Sequence, residues 1–265
     1  MTPRPTRLMK TQVTEWLTPL AQQFPAVRFK REIILEGGDQ DRVTPTLAEV
    51  VKTAGGSAFS ANQEEAQVAG KVDVIVHSLN DLPTAVHEGT LLLTTPGPRE
   101  DVRDVLRGAT LDGRTTRGGL DAVVLAAAGL NRLGLMPEVH QVLDPAVFPP
   151  SPGQGALGIQ VRIGSQAARL LEQTGDPQVD ACLRAERALL AELHGGCSVP
   201  VGAWGRVEPD GLLHLTATVT SLDGSVQVTA AGAGPVDAPE KVGASVATDV
   251  LAQGAAGILE SIRGP

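Results

Sequence analysis

A cysteine beside two glycines has the surroundings in this chain that most suggest covalent chemistry. Cys197 lies in the segment Leu-His-Gly-Gly-Cys-Ser-Val-Pro at 193–200, directly after a helical pattern. Two glycines let the backbone approach a bulky group closely, and a thioether formed there would hold a cofactor without a metal or a disulfide. The pattern also fits a buried structural cysteine, the commoner fate of a lone thiol. Cys182, inside a helical pattern, is predicted to be structural.

A carboxylate after an apolar strand marks the second candidate segment. The sequence Val-Ile-Val-His-Ser-Leu-Asn-Asp-Leu-Pro at 74–83 runs from a strand pattern into a polar loop. Ligands of open α/β sheets bind beyond the carboxyl ends of strands, so Asp81 is a candidate to meet a substrate, with a turn or helix cap as the alternative. His77 ends the apolar strand and is predicted to be a satisfied core histidine.

A proline- and glycine-rich segment is the third candidate. Pro-Pro-Ser-Pro-Gly-Gln-Gly-Ala-Leu-Gly-Ile at 149–159 is predicted to cross back towards the first domain, and its glycines suit a tight interdomain strand. A plain linker is the alternative that its spacing leaves open.

The elements that must position these segments change in character along the chain. In the first half, helical and strand patterns alternate, which predicts βαβ units around a parallel sheet. After residue 176, a helix that stops at a Gly-Gly pair is followed by three strands and a last helix, which predicts a small α+β domain with an antiparallel sheet. The predicted helices are 12–22, 63–69 and 240–262, and the predicted strands are 27–35, 72–76, 91–94, 121–127, 201–207, 212–220 and 225–231.

The composition excludes several classes of protein. The 265 residues include 22 basic and 30 acidic ones without a block of like charge, which argues against a nucleic-acid or anionic-membrane surface. No apolar run approaches the length of a signal sequence or membrane span, so a cytoplasmic location is expected. The spacing of the two cysteines suggests neither a disulfide framework nor a zinc site.

Together, the three segments resemble porphobilinogen deaminase (hydroxymethylbilane synthase). Chains of that family carry His-Ser-x-x-Asp-x-Pro, Gly-Gln-Gly-Ala and Gly-Gly-Cys-x-Val-Pro in this order. The stretches at 99–104, 125–134 and 185–187 are similar to the family's Arg-Glu-Asp-x-Arg-Asp, Leu-Ala-x-Ala-Gly-Leu-x-Arg-Leu-Gly and Ala-Glu-Arg. The likeness spans nearly the whole chain.

The resemblance implies an α/β fold of three domains. The first two would be periplasmic-binding-protein-like domains with mixed sheets, the second one shortened, and the third a C-terminal α+β domain with a three-stranded antiparallel sheet. The implied boundaries are 1–96 with 150–172 for domain 1, 97–149 for domain 2 and 176–265 for domain 3.

The resemblance also implies a reaction and a site. A dipyrromethane cofactor held covalently by Cys197 would be extended by four porphobilinogen units, each losing ammonia, before hydrolysis releases hydroxymethylbilane. Asp81 would be catalytic, because a fixed anion stabilises positive charge on the pyrrole nitrogens. The implied protein is a monomer that binds neither a metal, nucleic acid nor a membrane. Cofactor and substrate would be bound by Arg4, Thr6, Gln12, Ser78, Asn80, Arg132 and Gln154.

The chain departs from the family at basic residues. Asn80 stands where the family has a lysine, and the family's longer stretch between Asp104 and Asp121, with two arginine-containing segments, is absent. His194 replaces a family glutamate and is predicted to lie at a solvent-facing helix end. Each charged hydrogen bond contributes about 1.5–3 kcal/mol, so the loss of several basic residues would lower turnover strongly. The alternative to an active transferase is therefore an impaired paralogue that binds a small anionic pyrrole or a partner without turnover. A cytosolic solute-binding module is a third hypothesis.

Overall fold

The computed structural model describes residues 7–34, 60–94, 99–108, 122–194 and 199–263, which form a mixed α/β fold with three small sheets. The helices are α1 Arg7–Gln23, α2 Ala61–Val68, α3 Ala127–Leu133, α4 Gln166–Leu171, α5 Pro177–Glu192, α6 Pro239–Val250 and α7 Ala256–Arg263. The strands are β1 Val74–Ser78, β2 Thr90–Thr94, β3 Asp104–Gly108, β4 Ala122–Ala126, β5 His140–Val142, β6 Leu157–Arg162, β7 Val201–Val207, β8 Leu212–Thr220 and β9 Gln227–Pro235.

The first sheet has the order β1-β6-β2, and β6 pairs antiparallel with both neighbours. Ile159 and Val161 of β6 are fully buried and pack with Trp16 and Leu20 of α1 and with Leu171 of α4. Alternating burial along β1 is what a half-covered strand shows. The helices therefore cover the apolar face of a sheet whose central strand comes last in the chain.

The prediction of parallel βαβ units is wrong for the strands that the structure describes. β1 and β2 run in the same direction, but β6 returns from a distant part of the chain and separates them. Of the strand predicted at 27–35, residues 27–34 form no regular element, and residue 35 lies outside the described residues.

The second sheet has the order β4-β3-β5, with antiparallel pairing throughout the described strands. Its small core consists of Val105 on β3 together with Ala127 and Leu130 on α3. The residues that join β3 to β4, 109–121, lie outside the part of the chain that is described.

The third sheet confirms the predicted three-stranded antiparallel sheet of the C-terminal part. It has the order β7-β8-β9, and α5, α6 and α7 cover one face. The helix predicted at 240–262 is interrupted, because Gly254 has φ 112° within Leu251–Ala255. That backbone conformation is one that glycine adopts readily and other residues rarely do.

One helical stretch, Pro239–Ile262, is long and apolar enough to span a membrane by length and composition. The expectation that no such run exists was therefore wrong. Its apolar residues have a partner within the protein, since Val246, Val250 and Leu259 are buried in the core of the third sheet. Burial of this kind is typical of a core helix.

Candidate active site

Asp81 lies on a short helical turn at the end of β1. The turn spans Leu79–Asp81, and the backbone is extended again at Leu82. Leu79 and Leu82 are only 1% and 3% exposed, whereas Asp81 is exposed. Two buried leucines thus fix the backbone on either side of a carboxylate that is accessible from solvent.

The crossover predicted at 149–159 packs directly against this turn. It leads into β6 of the first sheet, and the N–H of Leu79 donates to the carbonyl of Ala156 at 3.1 Å. A Cβ atom on Gly153 would lie 3.1 Å from Cγ of Leu79 and 3.3 Å from the backbone nitrogen of Asn80. Gly153 therefore allows a backbone approach that a side chain would prevent.

A second glycine brings the crossover against the segment before β3. Gly155 has φ +82°, and a Cβ atom there would lie 2.4 Å from the carbonyl oxygen of Glu100. The N–H of Glu100 donates to the carbonyl of Gly155 at 3.2 Å. The Gly-Gln-Gly sequence is thus required by contacts on both of its sides.

The beginning of the crossover lies against the third sheet. The N–H of Ala203 in β7 donates to the carbonyl of Pro150 at 2.7 Å, and a Cβ atom on Gly202 would lie 2.3 Å from the carbonyl oxygen of Pro149. The crossover therefore contacts the Asp81 turn after β1 of the first sheet, the segment before β3 of the second sheet, and β7 of the third sheet.

A buried ion pair stabilises the junction at which the crossover meets the three sheets. The carboxylate of Glu186 on α5 accepts two hydrogen bonds from the guanidinium of Arg99, at 2.7 and 2.9 Å. It also accepts the backbone N–H groups of Gly153 and Gly205, each at 2.8 Å. Nε of Arg99 donates to the carbonyl of Gln154 at 2.7 Å. The Glu186 side chain is fully buried, so these hydrogen bonds replace the water it has lost.

A cation on α5, Arg187, holds the other end of the Asp81 loop. Nη2 of Arg187 donates to the carbonyl oxygens of Pro83 at 2.8 Å and Thr84 at 3.0 Å. Burial lowers the pKa of this guanidinium. The loop that carries Asp81 is therefore attached to the crossover before the carboxylate and to α5 after it.

Helix α1 joins two of the predicted binding residues. Nε2 of Gln12 donates to Oγ of Ser78 at 2.9 Å, and Gln12 is buried. Ser78 is the last residue of β1, so this bond places α1 beside the point where the strand turns towards Asp81.

Arg132, another predicted binding residue, lies between α1 and the crossover. Its Nε donates to the carboxylate of Glu15 at 3.1 Å, and its Nη2 donates to the carbonyl of Gly155 at 3.0 Å. Only 8% of the Arg132 side chain is exposed, against 46% for Glu15.

The Gln154 side chain is buried and points into the protein interior. Its Nε2 donates to the carbonyl of Val102 at 2.7 Å and to Oδ1 of Asp104 at 3.0 Å. Burial raises the pKa of the Asp104 carboxyl group, which this hydrogen bond partly offsets. Gln154 thereby links the crossover to the first residue of β3.

The structure brings together some of the predicted residues. Ser78, Asn80 and Asp81 lie close together at the end of β1, and Gln12 is bonded to Ser78. Gln154 belongs to the adjoining crossover, and Arg132 donates to the carbonyl of Gly155 in that crossover. Arg4, Thr6 and Cys197 lie outside the described residues. Within the described ranges, no group of three or more His, Cys, Asp or Glu residues could hold a metal ion.

The structural roles predicted for Cys182 and His77 are confirmed. Burial raises the pKa of the Cys182 thiol to about 11, so it stays protonated at neutral pH. His77 is buried, which lowers its pKa to about 4, and its Nε2 lies 3.0 Å from Oε1 of Gln160. His194 is exposed just after α5, as predicted.

Three charged residues of this junction were not predicted from the sequence as site residues. Arg99, Glu186 and Arg187 are all in stretches that support the family resemblance. An arginine and a glutamate 87 positions apart give no signal by spacing. The available clue was that both stretches match motifs of the family.

The fold and site define an α/β enzyme in which an exposed carboxylate lies beside the junction of three small sheets. The family model "Porphobilinogen deaminase, dipyromethane cofactor binding domain" matches residues 2–117 and 106–169, and "Porphobilinogen deaminase, C-terminal domain" matches residues 181–252. The chain belongs to the porphobilinogen deaminase family. Members of this family are transferases of tetrapyrrole biosynthesis, and the cofactor of the matched domain is dipyrromethane.

Curated relatives match over most of their length. The porphobilinogen deaminase of Desulforudis audaxviator is 34% identical, with 98% of this chain and 96% of the relative covered. That of Syntrophobacter fumaroxidans is 33% identical, with 90% and 89% covered. Porphobilinogen deaminase 1 of Streptomyces coelicolor is 36% identical, with 79% and 83% covered.

Proposed function

We propose that this chain polymerises four porphobilinogen units on a dipyrromethane held by Cys197, with loss of ammonia, and releases hydroxymethylbilane. The observation that carries this proposal is the exposed carboxylate of Asp81 on a turn fixed from both sides. Gly153 packs against the turn, and Arg187 holds the two carbonyl groups that follow it.

The proposed role of Asp81 is electrostatic. Positive charge develops on pyrrole nitrogens during the substitution, and a fixed anion that accepts their N–H groups stabilises that charge without reorganising. Burial of Leu79 and Leu82 keeps the carboxylate in place. The dipyrromethane supplies the terminal pyrrole carbon to which the first unit is joined.

The proposed attachment residue follows a helix that contacts the Asp81 loop. Cys197 comes shortly after the end of α5 at Glu192, and Arg187 of this helix contacts Pro83. The segments matched to the cofactor-binding domain end at residue 169. We therefore infer that the cofactor is anchored from the C-terminal domain and bound by residues of the preceding part of the chain.

The proposed binding residues divide into two groups. Ser78, Asn80 and Gln12, together with Arg4 and Thr6, are proposed to contact cofactor or substrate at the end of β1, and Arg132 is proposed to bind their carboxylates. Gln154 is proposed to act as a positioning residue, because its amide is used in bonds to Val102 and Asp104.

We also propose the three-domain division 1–96 with 150–172, 97–149 and 176–265, with the first two domains like periplasmic binding proteins. Two findings support a shortened second domain. The matched segments 2–117 and 106–169 overlap, as expected of an alignment split by a deletion. The alignment with the Desulforudis relative has 305 positions for a chain of 265 residues, so at least 40 positions face a gap in this chain.

Intact-mass measurement combined with a turnover assay tests the proposed function. We expect a dipyrromethane adduct on the purified chain and on Cys182→Ala, and none on Cys197→Ala. We expect porphobilinogen to be consumed and a product released that cyclises to uroporphyrin, with the rate lost in Asp81→Ala. The proposal is contradicted if the purified chain carries no adduct, or if Asp81→Ala consumes porphobilinogen as fast as the unmodified chain does.

A second candidate is an impaired paralogue that holds a pyrrole without turnover. Two observations favour it: Asn80 is neutral where the family has a lysine, and the guanidinium of Arg132 is engaged by Glu15 and Gly155. An adduct on Cys197 without consumption of porphobilinogen would support this candidate. For both, we propose a cytoplasmic monomer that binds no nucleic acid, membrane or metal.

A further inference from the structure

Glu15 is the only acidic residue of helix α1, and it lies one turn after Gln12. The bond of Gln12 to Ser78 brings this face of α1 to the end of β1, and Glu15 on the same face reaches Arg132. A single helix therefore contacts the Asp81 strand with an amide and the candidate carboxylate-binding arginine with a carboxylate.

The contact uses one of the two edges of the guanidinium that can bind a carboxylate as a fork. Arginine binds a carboxylate most strongly as a fork, with two parallel N–H groups. In Arg132, Nε of one edge donates to Glu15, and Nη2 of the same edge donates to the carbonyl of Gly155. That edge cannot take a second carboxylate while Glu15 occupies it.

We propose that Glu15 competes with the carboxylate groups of the substrate for Arg132 and so determines how tightly the site holds porphobilinogen. The inference rests on the proposed function, in which Arg132 binds the acetate or propionate group of a pyrrole. It adds a residue that sets substrate affinity, acting through Arg132.

The two partners differ in how firmly they are held, which makes Glu15 the exchangeable one. The Arg132 side chain is 8% exposed and keeps its bond to Gly155, whereas Glu15 is 46% exposed. An ion pair with one exposed partner is weak and easily replaced. A substrate carboxylate can therefore displace Glu15 and accept the Nε–H group, while the bond from Nη2 to Gly155 keeps Arg132 in place.

The test compares porphobilinogen binding to Glu15→Gln, which keeps the size of the side chain, with binding to the exposed control Glu172→Gln. The readout is the dissociation constant of porphobilinogen obtained from the rise in melting temperature with porphobilinogen concentration, because this measurement requires no turnover. We expect Glu15→Gln to lower this dissociation constant about two- to tenfold and Glu172→Gln to leave it unchanged. In an Arg132→Gln background, Glu15→Gln should have no effect.

If the Glu15–Arg132 pair is purely structural, Glu15→Gln changes the melting temperature without ligand and leaves the dissociation constant of porphobilinogen unchanged. That result overturns the inference, as does an equal effect of Glu15→Gln in the Arg132→Gln background. Absence of porphobilinogen binding in both the unmodified chain and Glu15→Gln overturns it too. The proposed function is judged separately by the mass of the Cys197 adduct and by turnover, neither of which requires Glu15.

Discussion

Arg99 and Glu186 form a bidentate ion pair inside the protein, with N···O distances of 2.7 and 2.9 Å. Arg99 precedes the second sheet, and Glu186 lies on the helix that covers the third sheet. Through Gly153, the same carboxylate holds the crossover that packs against the Asp81 turn. One buried charge pair therefore positions the elements on which the candidate site depends.

Replacing Glu186 by glutamine should destabilise the chain by about 3–5 kcal/mol, because it leaves the guanidinium of Arg99 buried without its counter-charge. Denaturant unfolding measures this loss. Glu192→Gln on the exposed side of the same helix is the matched control and should change stability by less than about 0.5 kcal/mol. Equal effects of the two changes would contradict the role of the buried pair.

Alanine at Gly155 should cost more than alanine at another glycine with positive φ. Gly155 and Gly164 have φ +82° and +68°, but only at Gly155 would a Cβ atom meet a backbone carbonyl, at 2.4 Å. We expect Gly164→Ala to cost about 1 kcal/mol for the backbone conformation alone and Gly155→Ala a further 1–3 kcal/mol or so for the clash. Thermal unfolding measures the loss of stability in both variants. Equal losses for Gly155→Ala and Gly164→Ala would contradict this prediction.

Lysine at Arg187 should loosen the loop that carries Asp81. A lysine ammonium keeps the charge, but its side chain is one bond shorter and does not reach as far as Nη2, the nitrogen that donates to both Pro83 and Thr84. We expect backbone amides in 79–86 to exchange roughly tenfold faster, as for the loss of about one hydrogen bond. Hydrogen exchange measured by mass spectrometry tests this. Arg184→Lys, at an exposed position on α5, should leave exchange in the loop unaltered.

The buried His77 should make the protein less stable as the pH falls from 6.5 to about 4. Its pKa in the folded state is lowered to about 4 by burial, against 6.5 for an ordinary histidine. In this window the unfolded chain binds a proton that the folded chain does not, so stability is lost as the pH falls, by up to about 3 kcal/mol. Below pH 4 both states are protonated and this loss stops growing.

Unfolding curves recorded across that pH window test the prediction for His77. His77→Asn should show a flatter dependence of the free energy of unfolding on pH than the unmodified chain. The exposed His87→Asn should keep the original slope. Parallel curves for His77→Asn and the unmodified chain would show that His77 is not the titrating group.

Local patterns predicted the third sheet well. The strands at 201–207 and 212–220 were predicted with the bounds that the structure has, because alternating side chains and a Pro-Asp-Gly turn are local signals. The third strand was predicted at 225–231 but begins at Gln227. Its first two predicted residues belong to the turn, where the carboxylate of Asp223 accepts the N–H and hydroxyl of Ser225.

Strand pairing in the first sheet could not be predicted in the same way. The patterns placed β1 and β2, but β6 enters between them from beyond the second sheet. The crossover predicted at 149–159 indicated that the chain returns to the first domain, but not that its strand enters between β1 and β2. The parallel sheet was therefore a wrong inference, drawn from a set of predicted elements that lacked β3 and β5.

The candidate site shows the same division. Asp81 was a candidate because it follows a strand pattern, and the resemblance to the family added Ser78, which is close to it in sequence. The contact of Glu15 with Arg132 joins residues 117 positions apart. Such a pair depends on how α1 and α3 pack, so no spacing rule could have found it.

The attachment of α5 has a consequence for the proposed polymerisation. Glu186 and Arg187 hold this helix to the crossover and to the Asp81 loop, and Cys197 follows its last residue by a short stretch of chain. In the proposed polymerisation, the polymer is therefore tethered five residues after the end of a helix that is anchored at the site.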